Sequence, residues 1–389
     1  MPQLHRLPQV LLLIETSRAY GRGLVEGIAR YAEEHGPWSI YFDERGLTDS
    51  LPRWLKGWRG DGIISRTTHK LDLAKLSATR LPVVELFPNP KLGIPLVRPN
   101  EEAIARHAVE HFLDRGLRNF AFFCTDHGHW IDWRQRAFVR ILHQYDYPCH
   151  IYHAATAQPA GKKPRPTDDR NVIRWLQNLP MPCGVFCATD FYAVQLARSC
   201  RTCGLLVPEQ IAVLGVDNDP VFCAVCYPRL SSIDLGSARI GYEAAALLDR
   251  MMAGQPPPIE GVCIEPQGVL ARESTDILAI DDLEIAQAVR LIREQACRHL
   301  RVAQVADVLG ISRRVFEQRF RHALHRNPKE EIVRIQMERA KMLLSTTDLA
   351  VAQVAKGSGF KSLAYFSRAF RQHIGLTPRD YRKKHRLSG

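Results

Sequence analysis

The chain has 389 residues, 46% hydrophobic and 24% charged, enough apolar content for two or three domains with cores of their own. Its net charge of +12 is unevenly placed: from Glu284 to Gly389 there are 22 Lys and Arg against 9 Asp and Glu, whereas the first 283 residues carry 31 against 32. The apolar run nearest the start, Val10 to Ile14, is too short for a signal-peptide core, and no stretch approaches about 18 apolar residues. No membrane partner is expected, the location expected is cytoplasmic, and the ten cysteines read as reduced thiols rather than a disulfide framework.

From residue 8 to about 275, short apolar segments alternate with amphipathic ones. Val10–Ile14, Trp38–Phe42, Gly62–Ile64, Val83–Leu86, Phe120–Cys124, Gly184–Ala188 and Ile211–Val216 read as strands. Arg22–Glu34, Glu101–Asp114, Arg134–Tyr145, Asp190–Arg201 and Ala238–Met252 read as helices. Such alternation predicts parallel sheets covered on both faces. The length exceeds what one sheet needs, and Leu113 to Asn119 is where a second begins, giving two lobes around a cleft.

Ligands bind at the carboxyl ends of parallel strands, and polar residues cluster there. Glu15, Ser17, Arg18 and Tyr20 follow the first strand; Asp126, Trp130 and Arg134 follow Cys124; Asp190 follows Ala188 and Thr189; Asp217 and Asn218 follow Val216. Carboxylates, amides and guanidinium groups beside aromatic rings suit a small polyhydroxylated effector, a sugar being the simplest. Asp and Thr at such positions also cap helices, the competing explanation for any one of them.

Three other chemistries compete. Gly21-x-Gly23-x-x-x-Gly27 after a strand has the place of a dinucleotide loop but not its spacing. Cys200-x-x-Cys203 and Cys223-x-x-Cys226 have the spacing of a zinc site, but the intervening strand of about 20 Å is expected to separate them. His127 and His129 lack a third ligand. No metal or other cofactor is expected, and neither a nucleophile elbow nor a P-loop argues for an enzyme.

In the basic tail a unit of about fifty residues occurs twice. Val302-Ala-Gln-Val-Ala306 returns as Val351-Ala-Gln-Val-Ala355, and Ser312, Phe316, Phe320 and Pro328 return as Ser362, Phe366, Phe370 and Pro378. Each copy reads as helix, glycine turn (Gly310, Gly359) and arginine-bearing helix, the pattern of a helix-turn-helix DNA reader. Charge and motif coincide, so phosphate binding explains the excess better than a merely solvated face. Val302, Val305, Leu309, Phe316 and Phe320, with Val351, Val354, Phe360, Phe366 and Phe370, read as core. Base-reading candidates are Arg313, Arg314, Glu317 and Gln318 in the first unit and Lys361, Ser362, Leu363, Ala364 and Arg368 in the second; Lys383, Lys384 and Arg386 read as phosphate contacts. A helix from about Glu330 to Leu344 separates the units.

Several of these segments resemble known families. Ala188-Thr-Asp190, Ile211 to Asn218, Leu230 to Ile233 and Arg272 to Thr275 resemble the effector domain of LacI/GalR-type regulators, related to periplasmic sugar-binding proteins, over about residues 8 to 276. That resemblance implies ligand contacts from Arg134, Asp190 and Asp217, with Glu15 to Tyr20 closing over the sugar; Arg98-Pro99-Asn100 departs from the family's usual Asp-Asn. Ile311-Ser312, Gly359-Phe360, Tyr365 to Phe370, Thr377-Pro378 and Tyr381-Arg382 resemble the AraC-type DNA-binding domain. A LacI-like sensor ahead of an AraC-type reader is similar to the xylose operon regulators, and Ser17 to Arg22 and Trp130 to Phe138 resemble theirs.

The resulting expectation is an α/β two-lobed periplasmic-binding-protein-like sensor plus an all-α C-terminal domain with two helix-turn-helix units. The sensor spans 1–276, with one lobe about 1–115 and 238–265 and the other about 116–237 and 266–276; a linker covers 277–283; the DNA-binding domain is 284–389, its motifs at 302–323 and 351–373. The expected partners are double-stranded DNA, a sugar (D-xylose by resemblance), a second copy in a homodimer, and RNA polymerase for an activator. Repression of another sugar operon, or a sugar-binding enzyme with a DNA-binding tail, are the alternatives.

Overall fold

The computed structural model describes residues 6–46, 49–67, 70–87, 93–126, 129–153, 170–258, 261–277, 282–324 and 326–385. Its contacts divide into two compact units, one of Met1–Phe112 with Arg118–Ile277, the other of Leu278–Gly389 with the short segment Leu113–Leu117.

The first unit runs β1 (Gln9–Leu13), α1 (Ala19–His35), β2 (Ser39–Phe42), β3 (Gly62–Ser65), α2 (Lys70–Ser77), β4 (Val83–Glu85), β5 (Val97–Pro99), α3 (Glu101–Leu113), β6 (Asn119–Phe123) and α4 (His129–His143). It continues through β7 (Cys149–Ile151), α5 (Arg170–Gln177), β8 (Cys183–Cys187), α6 (Asp190–Thr202), β9 (Ile211–Val216), α7 (Pro220–Val225), β10 (Ser231–Asp234), α8 (Ser237–Met252), β11 (Val262–Ile264) and β12 (Gly268–Leu270). One parallel sheet has the order β2-β1-β3-β4; the other, β12-β10-β9-β8-β6-β7, is parallel except where β12 runs against β10. β5 and β11 form a separate parallel pair. Buried central strands such as β8 and β9 are apolar throughout because helices cover both faces. β5, β7, β10, β11 and β12 are additions to the expected strands; at three or four residues each, they are too short to leave a periodic trace.

The glycines of α1 have a packing explanation. A Cβ on Gly21 would stand 1.8 Å from the Glu15 carbonyl oxygen, one on Gly27 1.7 Å from that of Ala238, and one on Gly241 2.0 Å from that of Leu24. Gly27 and Gly241 let α1 and α8 approach backbone to backbone, so this glycine series is a helix contact rather than a dinucleotide loop.

The second unit is entirely helical: α9 (Leu283–Gln295), α10 (Val302–Leu309), α11 (Arg313–Leu324), α12 (Pro328–Thr346), α13 (Val351–Gly357), α14 (Leu363–Ile374) and α15 (Pro378–His385). Gly310 (φ 67°) and Gly359 (φ 86°) turn the chain between the helices of each pair in the left-handed region that favours glycine. α12 opens with an Asn327/Glu330 capping box and Pro328 in its first turn, and at 19 residues it spans roughly 28 Å. It joins two cores: Ile332 packs with Ile285, Val305, Phe316 and Phe320, while Met337 and Leu344 pack with Val354, Phe360, Phe366 and Phe370. Gln336 ties the halves by donating to the Ala296 carbonyl at 2.8 Å and, more weakly, to that of Gly359 at 3.4 Å.

Candidate effector pocket and nucleic-acid interface

Loops at the carboxyl ends of β1, β3, β4 and β9 meet the β5–α3 junction and the start of α4 around a small cavity of about 60 Å³, lined by Glu15, Arg18, Tyr20, Arg66, Leu86, Phe87, Pro99, Glu101, Trp130, Thr189 and Asp217. Its charges are arranged as pairs. Arg66 donates to Glu15 Oε2 at 2.6 Å and lies over the rings of Tyr20 (5.0 Å) and Phe87 (5.6 Å). Burial acts against that guanidinium, but Glu15, with Tyr20 and Asp217, raises its pKa overall. Arg18 sits 4.9 Å over the Phe191 ring.

Two buried atoms at the cavity are left without partners among the described residues, Glu15 Oε1 and Thr189 Oγ1. An unsatisfied buried polar atom costs about 1 to 3 kcal/mol, which a bound hydroxyl relieves. Asp217, at φ 104°, occupies a backbone region that L residues rarely adopt, and burial pushes its carboxyl up to about 7 against the opposing pull of Arg134, Arg66 and Arg18.

Of the ligand candidates read from sequence, Glu15, Arg18, Tyr20, Trp130 and Asp217 line the cavity; Ser17, Asp126, Arg134, Asp190 and Asn218 do not. Arg134 is buried and takes Glu101 bidentately at 2.8 and 3.0 Å and the Ala188 carbonyl at 2.5 Å, so its donors hold the pocket wall. Asp190 accepts from Ser232 Oγ at 2.6 Å and the Asp219 amide at 2.8 Å, and burial raises its pKa well above the carboxylate range. Asn218 is held by Arg272 at 2.8 Å and Asp234 at 3.1 Å, Asp126 accepts from the Tyr192 hydroxyl, and Ser17 is exposed. Four of these five use polar groups within the protein, and Ser17 is exposed. Sequence reading missed Arg66, Leu86, Phe87, Pro99 and Glu101. Arg66, Leu86 and Phe87 lie at strand ends, where nothing local separates a wall residue from a solvated one, and Pro99 and Glu101 end and follow β5, a strand too short to recognise.

The cysteines carry a correction. α7 packs back on α6, so the strand between them does not keep the pairs apart, and Cys226 is near enough to influence the ionisation of Cys200. Burial instead makes them poor thiolates, pushing Cys200 and Cys223 up to about 12 and Cys226 to about 11. Among the described residues no three His, Cys, Asp or Glu side chains are grouped to hold a metal. His127 lies outside the described residues.

In the helical unit, Arg313, Arg314 and Gln318 on α11 are exposed and Glu317 is half-buried, accepting from Arg313 at 2.8 Å. Lys361, Ser362, Leu363, Ala364 and Arg368 are exposed at α14, where Ser362 caps the helix by accepting from the Tyr365 amide. Arg368 lines an open groove with Ser367, Arg371, Gln372 and Thr377; Arg371 and Gln372 were not among the sequence candidates. Arg319, also on α11, is clamped by Asp282 at 2.6 and 2.8 Å and by Glu284 at 2.5 Å, tying this helix to the start of α9. Lys383 is exposed on α15, while Arg386 and the side chain of Lys384 lie outside the described residues.

Residues 109–275 match the periplasmic binding protein-like domain and residues 305–384 the helix-turn-helix domain. The chain is a DNA-binding transcriptional regulator with a periplasmic-binding-protein-like sensor. This regulator is similar to the xylose operon regulatory proteins of Haemophilus influenzae (29% identical, 96% of this chain and 98% of the relative) and Escherichia coli K12 (28%, 96% of each). It also resembles the solved structure described as the xylose-binding transcription activator xylR, with 26% identity and a TM-score of 0.63 over 98% of this chain and 100% of that one. The relatives are regulators rather than enzymes, and so is this chain. Both ends of its architecture, sensor and reader, are shared with them at full length.

Proposed function

We propose that the regulator binds D-xylose in the cavity between its strand-end loops and activates transcription of pentose-catabolic genes from paired DNA half-sites. The observation that carries the ligand reading is the pair of buried, unpartnered atoms at the cavity, Glu15 Oε1 and Thr189 Oγ1. A polyhydroxylated molecule supplies the missing hydrogen bonds. Arg66 on the cavity wall and Arg134 behind it already have carboxylate partners, which favours a neutral sugar over a phosphorylated one. The names of the full-length relatives direct the choice among monosaccharides to xylose.

In this reading Glu15, Thr189 and Asp217 accept from or bond to ring hydroxyls while Trp130 and Tyr20 supply apolar faces; Arg134, Asp190 and Asn218 keep the wall in place. Sugar shifts the regulator toward the form with greater DNA affinity through its differential affinity for that form. The protein works in the cytoplasm as a homodimer that engages RNA polymerase. Thermal melting against a panel of monosaccharides tests the ligand: D-xylose at about 100 times its Kd adds about 2.7 kcal/mol of stability. A larger shift with another sugar reassigns the effector. DNA affinity with and without D-xylose, together with transcription from a cognate promoter, tests the output; unchanged affinity sinks the switch, and lower transcription with bound protein points to repression.

A further inference from the structure

Glu85, the last residue of β4, is 2% exposed and does not line the cavity. Its carboxyl joins two loops. Oε1 accepts from the backbone N–H of Thr67 at 3.0 Å and of Phe87 at 2.8 Å, and Oε2 is hydrogen-bonded to the Ser65 hydroxyl. Those partners bracket Arg66 on one loop and Leu86 on the other, and Arg66, Leu86 and Phe87 are all cavity walls. Arg66 in turn holds Glu15 and packs over Tyr20 and Phe87. One buried side chain outside the cavity therefore fixes the ends of β3 and β4, and through them one side of the pocket.

We propose that Glu85 is a positioning residue for the effector, an uncharged carboxylic acid that locks the β3 and β4 end loops so that Arg66 and Phe87 stand in their ligand-receiving places. The inference rests on the sugar reading of the cavity. Its chemistry follows from charge bookkeeping: the cation next to Glu85 is Arg66, and Arg66 is already paired with Glu15 at 2.6 Å. Among the described residues, a second buried carboxylate there has no cation of its own. As a carboxylate Glu85 accepts from the Ser65 hydroxyl at Oε2; a protonated carboxyl keeps that contact with its direction reversed, the acid O–H donating to Ser65 Oγ while Oε1 still accepts two N–H groups. Burial agrees, pushing Glu85 up to about 8 despite the opposing hydrogen bonds from Ser65, Thr67 and Phe87.

Glutamine reproduces this pattern without a titratable proton, its carbonyl accepting the two amides and its NH₂ donating to Ser65. Leucine fills similar space and leaves both amides buried without an acceptor. The test compares Glu85→Gln and Glu85→Leu in the full-length protein by hydrogen exchange of the peptides holding Thr67 and Phe87, by titration with the monosaccharide panel, and by DNA affinity without sugar. The expected result is that Glu85→Gln keeps both amides protected and binds D-xylose within about twofold of wild type, whereas Glu85→Leu loses protection and binds about tenfold or more weakly. Sugar-free DNA affinity is expected to stay unchanged in both.

Wild-type sugar affinity in Glu85→Leu overturns the positioning role. Equal weakening in Glu85→Gln and Glu85→Leu overturns the uncharged clamp in favour of a needed negative charge. If Glu85→Leu does not fold, Ser65→Ala removes one of the three bonds: a several-fold loss of sugar affinity supports the proposal, and no loss overturns it. If no sugar binds even the wild type, the effector reading fails by itself, and the exchange of Thr67 and Phe87 in the two Glu85 variants still decides the clamp.

Discussion

Asp217 is the residue whose chemistry is most exposed to experiment. In the folded chain it holds its proton up to about pH 7 because it is buried, whereas an unfolded aspartate releases it near 4. Its contribution to the stability of the sugar-free protein is therefore complete below about pH 4 and is lost as the pH rises through about 7. Melting temperature followed against pH checks this, and Asp217→Asn is expected to flatten that part of the curve. In the proposed complex sugar hydroxyls donate to the ionised form, so binding is expected to favour deprotonation. Between pH 6 and 8 the ionised fraction climbs from about a tenth to about nine tenths, and sugar affinity is expected to rise by up to about tenfold, a slope absent in Asp217→Asn. Calorimetric titration at the two pH values, with proton release measured in buffers of different ionisation enthalpy, decides it. Asp217 was legible from sequence because it follows a long apolar strand. Arg66 and Glu101 were not, since a charged residue near a strand end looks the same whether it faces solvent or is buried against a partner 51 or 33 positions away.

At the scale of elements, the contact between α1 and α8 depends on missing side chains. Gly27→Ala places a Cβ 1.7 Å from the Ala238 carbonyl oxygen, a backbone atom that cannot swing aside. It is expected to destabilise the sensor by about 2 kcal/mol or more, read in denaturant unfolding, despite alanine's better helix propensity. The spacing of the three glycines has the place of a phosphate loop, but Gly21 is small because of Glu15 and Gly23 and Gly27 because of Ser237 and Ala238, more than 200 residues later. The two DNA-reading helices invite a different comparison. α11 offers the exposed Arg313, Arg314 and Gln318, whereas α14 begins with Ser362 occupied as a cap and the apolar Leu363 and Ala364. We expect hydrogen-bonded base reading chiefly from α11, with Arg368 as the principal reader on α14. Arg368→Ala should cost about 1 to 3 kcal/mol on cognate DNA and little on scrambled DNA, while Lys383→Ala should weaken both alike and lower the salt slope by about one. Equal losses on the two DNAs for Arg368→Ala would remove its reading role.

For the whole molecule, each helix-turn-helix has its own core, and α12 contributes to both. A fragment spanning 282–389, which retains the Asp282 and Glu284 clamp on Arg319, is expected to fold and bind DNA with an affinity indifferent to sugar. Circular dichroism and DNA titration with and without D-xylose test that expectation, and a sugar response in the fragment would place the effector site outside the sensor. The local sequence determined the class of the molecule: alternating apolar strands and amphipathic helices, a duplicated motif with a turn glycine in each copy, and a basic tail behind a neutral half. Those are periodicities and charge sums, which survive without knowledge of what touches what. Tertiary structure decided which polar residues face the cavity and which hold its wall. Arg134 and Asp190 have the composition of ligand contacts, and the fold sets them against Glu101, Ala188, Ser232 and Asp219. Hydrogen bonds are short-ranged and saturable, so the partner that reaches a buried group first in space, not in sequence, determines what remains for a ligand.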